Sequence, residues 1–135
     1  MLGTSRRKLS VVIVDDDPLL LAALERFFRN GGWDVHACPH AYFAFEVVQR
    51  EHVDIALVDI EMAELSGIDF LRHLRAACID IPVMLMSENS DALAEAHTQA
   101  LDVAAYLEKP LGITAEVVCL AERIVTRPSS IPYSY

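Results

Sequence analysis

The sequence predicts an α/β domain: a βα unit repeated five times in a doubly wound parallel sheet. Short Val/Ile/Leu-rich runs recur at Val11–Val14, Ile55–Val58, Val83–Met86 and Ala104–Leu107, with Trp33–Ala37 a weaker fifth. Each is followed by a helical pattern, and unbroken apolar runs of this length suit strands buried on both faces. The chain has 135 residues and is 53% hydrophobic, enough for one domain with a sizeable core and too little for a second. Parallel strands joined by right-handed helical crossovers complete the expected sheet.

The first strand runs into "VVIVDDDP". Asp17 is placed to cap the first helix, and Pro18 fits its first position. Leu20, Ala23, Leu24, Phe27 and Phe28 form the expected apolar face, and Gly31–Gly32 stop the helix. The second helix carries Ala41, Ala44, Phe45 and Val48 on one stripe. The third opens near Ser66, a cap with Asp69 three residues on. The fourth, over Ser90–Ala100, is short of large apolar residues. The fifth, over Thr114–Val125, should bury Val117, Leu120, Ala121 and Ile124. Residues 1–8 read as a solvated arm containing Arg6, Arg7 and Lys8, 9–126 as the domain, and 127–135 as a flexible tail or the start of a linker.

The net charge of −9 argues against nucleic acid as the partner of this segment, because phosphate binding needs a basic face. No apolar stretch reaches membrane-spanning length, and "MLGTSRRKLS" lacks the apolar core of a signal peptide. Cys38, Cys78 and Cys119 are an odd, unpatterned set that reads as reduced, mostly buried thiols of a cytoplasmic protein.

In doubly wound sheets ligands sit beyond the C-terminal strand ends. The first strand delivers Asp15 and Asp16 there, "IALVDIEM" delivers Asp59, "VMLMSEN" delivers Ser87, and "AYLEKP" delivers Lys109. Three carboxylates repel unless a cation joins them. Hard oxygen donors suit Mg2+ or Mn2+, which often awaits a phosphate. An Asp beside such an ion can attack phosphorus, with a lysine and a hydroxyl opposite to hold the transferred group.

With these motifs in this order, the chain resembles the receiver domain of a two-component response regulator, over roughly Leu9 to Val125. The resemblance implies a flavodoxin-like (βα)5 fold with strand order 2-1-3-4-5. It implies Asp59 as phosphoacceptor, with Asp15, Asp16, Asp59 and the backbone carbonyl of Glu61 around Mg2+ or Mn2+. It implies Lys109 as the lysine of the site, and Ser87 and Tyr106 as a switch read on the fourth helix, fifth strand and fifth helix. It also implies a cis Lys109–Pro110 bond. The implied partners are a sensor histidine kinase or phosphotransfer protein, and either an effector domain C-terminal to this segment or a second copy through the switch surface. The implied activity is self-phosphorylation rather than turnover of a free substrate. The stretches "IPVMLMSENSD" and "ELSGIDFLRHL" are most similar to receivers of LuxR-type or FixJ-like regulators.

Some positions depart from the family or admit a plainer role. Ala63 stands where proline is common and Ser66 where aspartate is common. Glu88 replaces the usual small residue after the switch hydroxyl and adds a fourth acid, which opens an alternative: a receiver-like interaction module that is not phosphorylated. A phosphatase of the haloacid dehalogenase kind would want an Asp two residues after its nucleophile, where this chain has Glu61. Ser87 alone could simply satisfy its loop, and Tyr106 is equally a packing aromatic or a switch. In "HACPH", His36, Cys38 and His40 alternate as zinc ligands on a strand would, but Pro39 spoils the geometry.

Overall fold

A computed structural model describes residues 7–99, 101–109, 114–126 and 133–134. Five strands, β1 Ser10–Val14, β2 Asp34–Cys38, β3 Ile55–Asp59, β4 Val83–Ser87 and β5 Ala105–Glu108, alternate with five helices. The helices are α1 Pro18–Asn30, α2 Ala41–Arg50, α3 Gly67–Ala76, α4 Ser90–His97 and α5 Thr114–Thr126. The sheet order is β2-β1-β3-β4-β5, with a short β6 (Tyr133–Ser134) at its edge. Neighbouring strands pair in parallel, Val11 facing Ile55 and Val35, Asp59 facing Met86, and Ser87 facing Glu108.

Alternation along the strands divides the core into two layers. Val11, Ile13, Ile55, Leu57, Met84, Met86 and Leu107 face Leu24 and Phe28 of α1 and Leu120 and Ile124 of α5. Val12, Val14, Ala56, Val58, Val83 and Leu85 face Ala44 of α2, Phe70, Leu71 and Leu74 of α3, and Leu93 and Ala96 of α4. Both faces of the sheet are covered, which is why its strands read as unbroken apolar runs rather than alternating ones.

The caps form as expected. Asp17 accepts from the backbone N–H groups of Leu19 and Leu20, with Pro18 opening α1. Ser66 accepts from Asp69 N–H at 3.1 Å. A further cap that the sequence did not single out is Asn89, which opens α4 by accepting from the N–H groups of Asp91 and Ala92.

Several expectations change. The buried face of α1 is Leu21, Leu24 and Phe28, while Phe27 is 36% exposed. The stripe is centred between Leu24 and Phe28, which brings Leu21 inward and turns Phe27 to the edge. Helix α4 ends at His97 rather than Ala100. Only Cys38 is buried; Cys78 and Cys119 are exposed. Cys78 has φ 60 in the turn after α3, where Ile79 N–H bonds back to Leu74 O, and Cys119 lies on the outer side of α5. Burial pushes the Cys38 thiol up to about 12, so it behaves as a small apolar side chain.

The segment after α5 includes a strand pair that the sequence does not announce. Residues 133 and 134 of the tail pair in parallel with Ala105 and Tyr106. In the arm, Arg7 reaches Asp54 at 3.1 Å and Lys8 reaches Asp34 at 3.7 Å, both cations remaining largely exposed. Pro110, and with it the expected cis bond, lies outside the described residues.

Candidate functional site

The strand order reverses between β1 and β3, and the acids gather beyond that point. Asp15 continues the ladder past β1, its N–H donating to Cys38 O at 3.2 Å. Its side chain is fully buried, accepting from Asp17 N–H at 2.8 Å. Asp16 turns outward and is exposed. Asp59 ends β3 at 3% exposure. One carboxylate oxygen from each of Asp15, Asp16 and Asp59 lies within 4.8 Å of the other two.

Gly67 shapes the backbone at Asp59. Its N–H donates to Ile60 O at 3.0 Å, which presses the start of α3 against the end of β3. A Cβ at this glycine would stand 2.3 Å from Asp59 O, so no larger side chain fits without a shift.

Lys109 follows β5, its N–H donating to Ser87 O at 2.8 Å. Its ammonium bridges Asp15 Oδ2 at 2.8 Å and Asp59 Oδ2 at 3.3 Å. Burial opposes the lysine's charge, but its bonds and attraction to Asp15 and Asp59 win, and its pKa is raised. Asp59 is pushed up to about 6, first by burial and then by the charge of Asp15, with Lys109 pulling the other way. One lysine therefore does not neutralise the acid cluster. The three closely set hard oxygen donors, still short of positive charge, fit a divalent cation of the Mg2+ type.

These groups line an open cleft of about 600 Å³, with Glu61, Glu88 and Asn89 on its wall. Ser87 is fully buried at the end of β4. Its hydroxyl donates to Glu61 Oε1 at 2.6 Å and accepts from Asn89 N–H at 2.9 Å, with Asn89 O at 3.2 Å. Glu61 also donates its backbone N–H to Asp59 Oδ1 at 3.3 Å. Glu88 is exposed at the rim, while Lys109 keeps both of its carboxylate partners.

The structure thus gathers Asp15, Asp16, Asp59, Lys109 and Glu88 around one cleft, with Ser87 buried behind Glu61 and Asn89 of its wall. It leaves Tyr106 outside the lining, buried on the α2–α4 side with its ring stacked on His97 at 3.6 Å between centroids. Burial raises the Tyr106 pKa. In "HACPH", Cys38 is buried, His36 is half-buried and His40 takes the N-cap position of α2. Among the described residues the acid trio, not this segment, brings three metal-type ligands together.

Sequence reasoning gave Glu61 only a backbone role and missed Asn89. The signal lies in strand register: β3 pairs with β4 up to Asp59 facing Met86, so the turn that carries Glu61 leaves the sheet beside Ser87.

Comparison with known proteins agrees with this geometry. The chain is 33% identical to the transcriptional regulatory protein ZraR of Klebsiella oxytoca over 95% of its own length and 29% of the relative's. It is 31% identical to the DNA-binding transcriptional regulator NtrC of Proteus hauseri, covering 89% of this chain and 25% of that protein. With the transcriptional regulatory protein PrrA of Mycobacterium bovis the figures are 33%, 89% and 51%. The chain therefore spans about a quarter to a half of these relatives. Among solved structures it is similar to the receiver domain of the Francisella response regulator 1452, with a TM-score of 0.77 and 23% identity over 90% of this chain and 100% of that one. A sensor protein from Polaromonas sp. JS666 superposes with a TM-score of 0.81 at 25% identity, over 91% and 100% of the two chains. The family model for the response regulator receiver domain matches residues 11–118, and the chain belongs to that family as the receiver domain of a two-component response regulator.

Proposed function

We propose that Asp59 accepts a phosphoryl group from the phosphohistidine of a sensor kinase or phosphotransfer protein. The observation that carries this reading is Lys109, whose ammonium spans Asp15 and Asp59 at the floor of the cleft. Asp59 presents an oxygen for in-line attack on phosphorus. The new oxygen–phosphorus bond forms as the donor's nitrogen–phosphorus bond breaks, its electron pair leaving with the imidazole. Lys109 stays against the carboxylate and offers charge to the transferred oxygens. Asp15, Asp16, Asp59 and the Glu61 carbonyl would hold Mg2+ or Mn2+, which when bound supplies charge neutralisation for phosphoryl transfer. The site modifies itself and then loses the group, so the domain is a switch rather than an enzyme acting on a free substrate.

The switch reading assigns Ser87 and Tyr106 to the response and α4, β5 and α5 to its display, as a population shift. The relatives' names favour transcriptional regulation as the output, through an effector domain C-terminal to this segment or a second copy on the same surface. They do not carry the LuxR-type subclass, which rests on the loop sequences alone. Among the described residues no helix is long and apolar enough to cross a membrane; a cytoplasmic setting is part of the proposal. The non-phosphorylated alternative is disfavoured because Glu88 sits at the exposed rim and the set of Asp15, Asp16, Asp59 and Lys109 is complete.

Acetyl phosphate with magnesium, read by intact mass, tests the reading. The wild type should gain one phosphoryl group and Asp59→Asn none, while Asp16→Asn should need much more magnesium. An unmodified wild type, or a modified Asp59→Asn at equal rate, overturns it.

A further inference from the structure

We infer that the side chain of Glu61 is a latch on Ser87, holding the switch hydroxyl in its resting position until a phosphoryl group on Asp59 displaces it. The inference rests on Asp59 being the phosphoacceptor. A serine hydroxyl has one proton to donate. Two acceptors lie within reach of it, Glu61 Oε1 at 2.6 Å and Asn89 O at 3.2 Å, and the shorter contact, a distance typical of a hydroxyl donating to a carboxylate, favours Glu61. Ser87 is fully buried, so no solvent stands in for its partner. The Asn89 N–H completes the cage by donating to the same oxygen at 2.9 Å.

Glu61 is tied to the phosphoacceptor as well. Its backbone N–H reaches Asp59 Oδ1 at 3.3 Å while its side chain holds Ser87. One residue therefore bridges the two positions that the transferred group must contact. A phosphoryl group on Asp59 brings acceptor oxygens that compete for the single Ser87 proton. It also brings negative charge next to the Glu61 carboxylate, which like-charge repulsion pushes away. Both effects release the same bond, so arrival of the group and freeing of the hydroxyl are coupled. The metal-facing group of Glu61 is its carbonyl, so side-chain substitutions test the latch without deleting that ligand.

A double-mutant cycle over Glu61→Ala and Ser87→Ala decides the matter, with Glu61→Gln as the conservative variant. Two readouts are taken on the same proteins. The first is urea unfolding without any phosphodonor. The second is the rate of mass gain from acetyl phosphate at fixed magnesium. The latch predicts non-additive unfolding constants, with a coupling of about tenfold for a charge-assisted bond that is partly exposed. It predicts that Glu61→Ala speeds phosphorylation several-fold when Ser87 is present, and that the gain largely disappears in proteins carrying Ser87→Ala. Glu61→Gln keeps an acceptor for Ser87 and should fall between wild type and Glu61→Ala. Additive unfolding constants overturn the latch itself. Coupled unfolding with an equal Glu61→Ala acceleration in both Ser87 backgrounds overturns its gating role and leaves a through-space charge effect. A wild type that takes up no phosphoryl group overturns the phosphoacceptor reading and the gating role together, while the unfolding cycle still reports on the bond.

Discussion

At the residue scale, the same functional type has opposite meanings according to what surrounds it. Asp15 and Asp59 are buried and share one ammonium, whereas Asp16 and Glu88 look into the cleft from solvent. Glu88 is where the sequence departs furthest from its family. Its exposed carboxylate stands beside the path of an incoming anionic phosphodonor. The interaction is screened by water and salt, so it alters rate rather than blocking the site. Glu88→Ala should therefore accept a phosphoryl group from a small donor about two- to fivefold faster at low ionic strength, and the gap should narrow as salt is added. Equal rates at low salt would assign Glu88 no gating role. A slower variant would mean that the carboxylate assists.

At the element scale, the strand ends were legible in the sequence because both ingredients are local: a buried run of β-branched residues, then a polar residue that such a run cannot continue. Asp15, Asp59 and Ser87 follow from that rule, whereas Lys109 stands one residue beyond Glu108 and was legible only through the joint motif pattern. The caps Asp17 and Ser66 were legible for the same reason, since a cap bonds to N–H groups two or three residues away. What stayed hidden depends on neighbours distant in the chain. The rotation of α1 follows from its fit against the sheet and α5. The bond between Glu61 and Ser87 follows from the register of β3 against β4. Gly67 belongs to this class: the motif holds a glycine, but only the approach of α3 to β3 says why. Gly67→Ala must move Asp59 O or the first turn of α3, because the methyl carbon would stand 2.3 Å from that oxygen. The cost should be on the order of 2–4 kcal/mol in urea unfolding. Magnesium affinity should fall with it, because the displaced backbone carries Asp59 and Glu61. A variant with unchanged stability and metal affinity would show that the contact relaxes without disturbing the site.

At the scale of the whole molecule, two well-filled apolar layers support a cleft in which the charge of Asp59 opposes folding. Asp59 is pushed up to about 6, first by burial, from an ordinary value near 4. The folded protein thus keeps a proton that the unfolded chain releases between those values. The contribution of Asp59 to stability falls as pH rises through about 4 to 6, and its whole penalty is present at neutral pH. Asp59→Asn removes the charge and nearly keeps the shape, and Lys109 retains Asp15 at 2.8 Å. The variant should be more stable than wild type above about pH 7, by on the order of 2–3 kcal/mol, and the difference should close as pH approaches 4. Magnesium should act in the opposite sense. A cation held by the folded cluster and not by the dispersed acids of the unfolded chain would raise the stability of the wild type. The gain should be large near neutral pH, smaller at about pH 5 where a proton competes for Asp59, and smaller again in Asp59→Asn, which has lost a ligand oxygen's charge. Urea unfolding of both proteins, with and without magnesium, at about pH 7, 5 and 4 checks each of these signs. If Asp59→Asn is no more stable than wild type near neutral pH, attraction to Lys109 outweighs burial and the charge of Asp15, and the cleft is a stabilising ion cluster rather than one that waits for a cation.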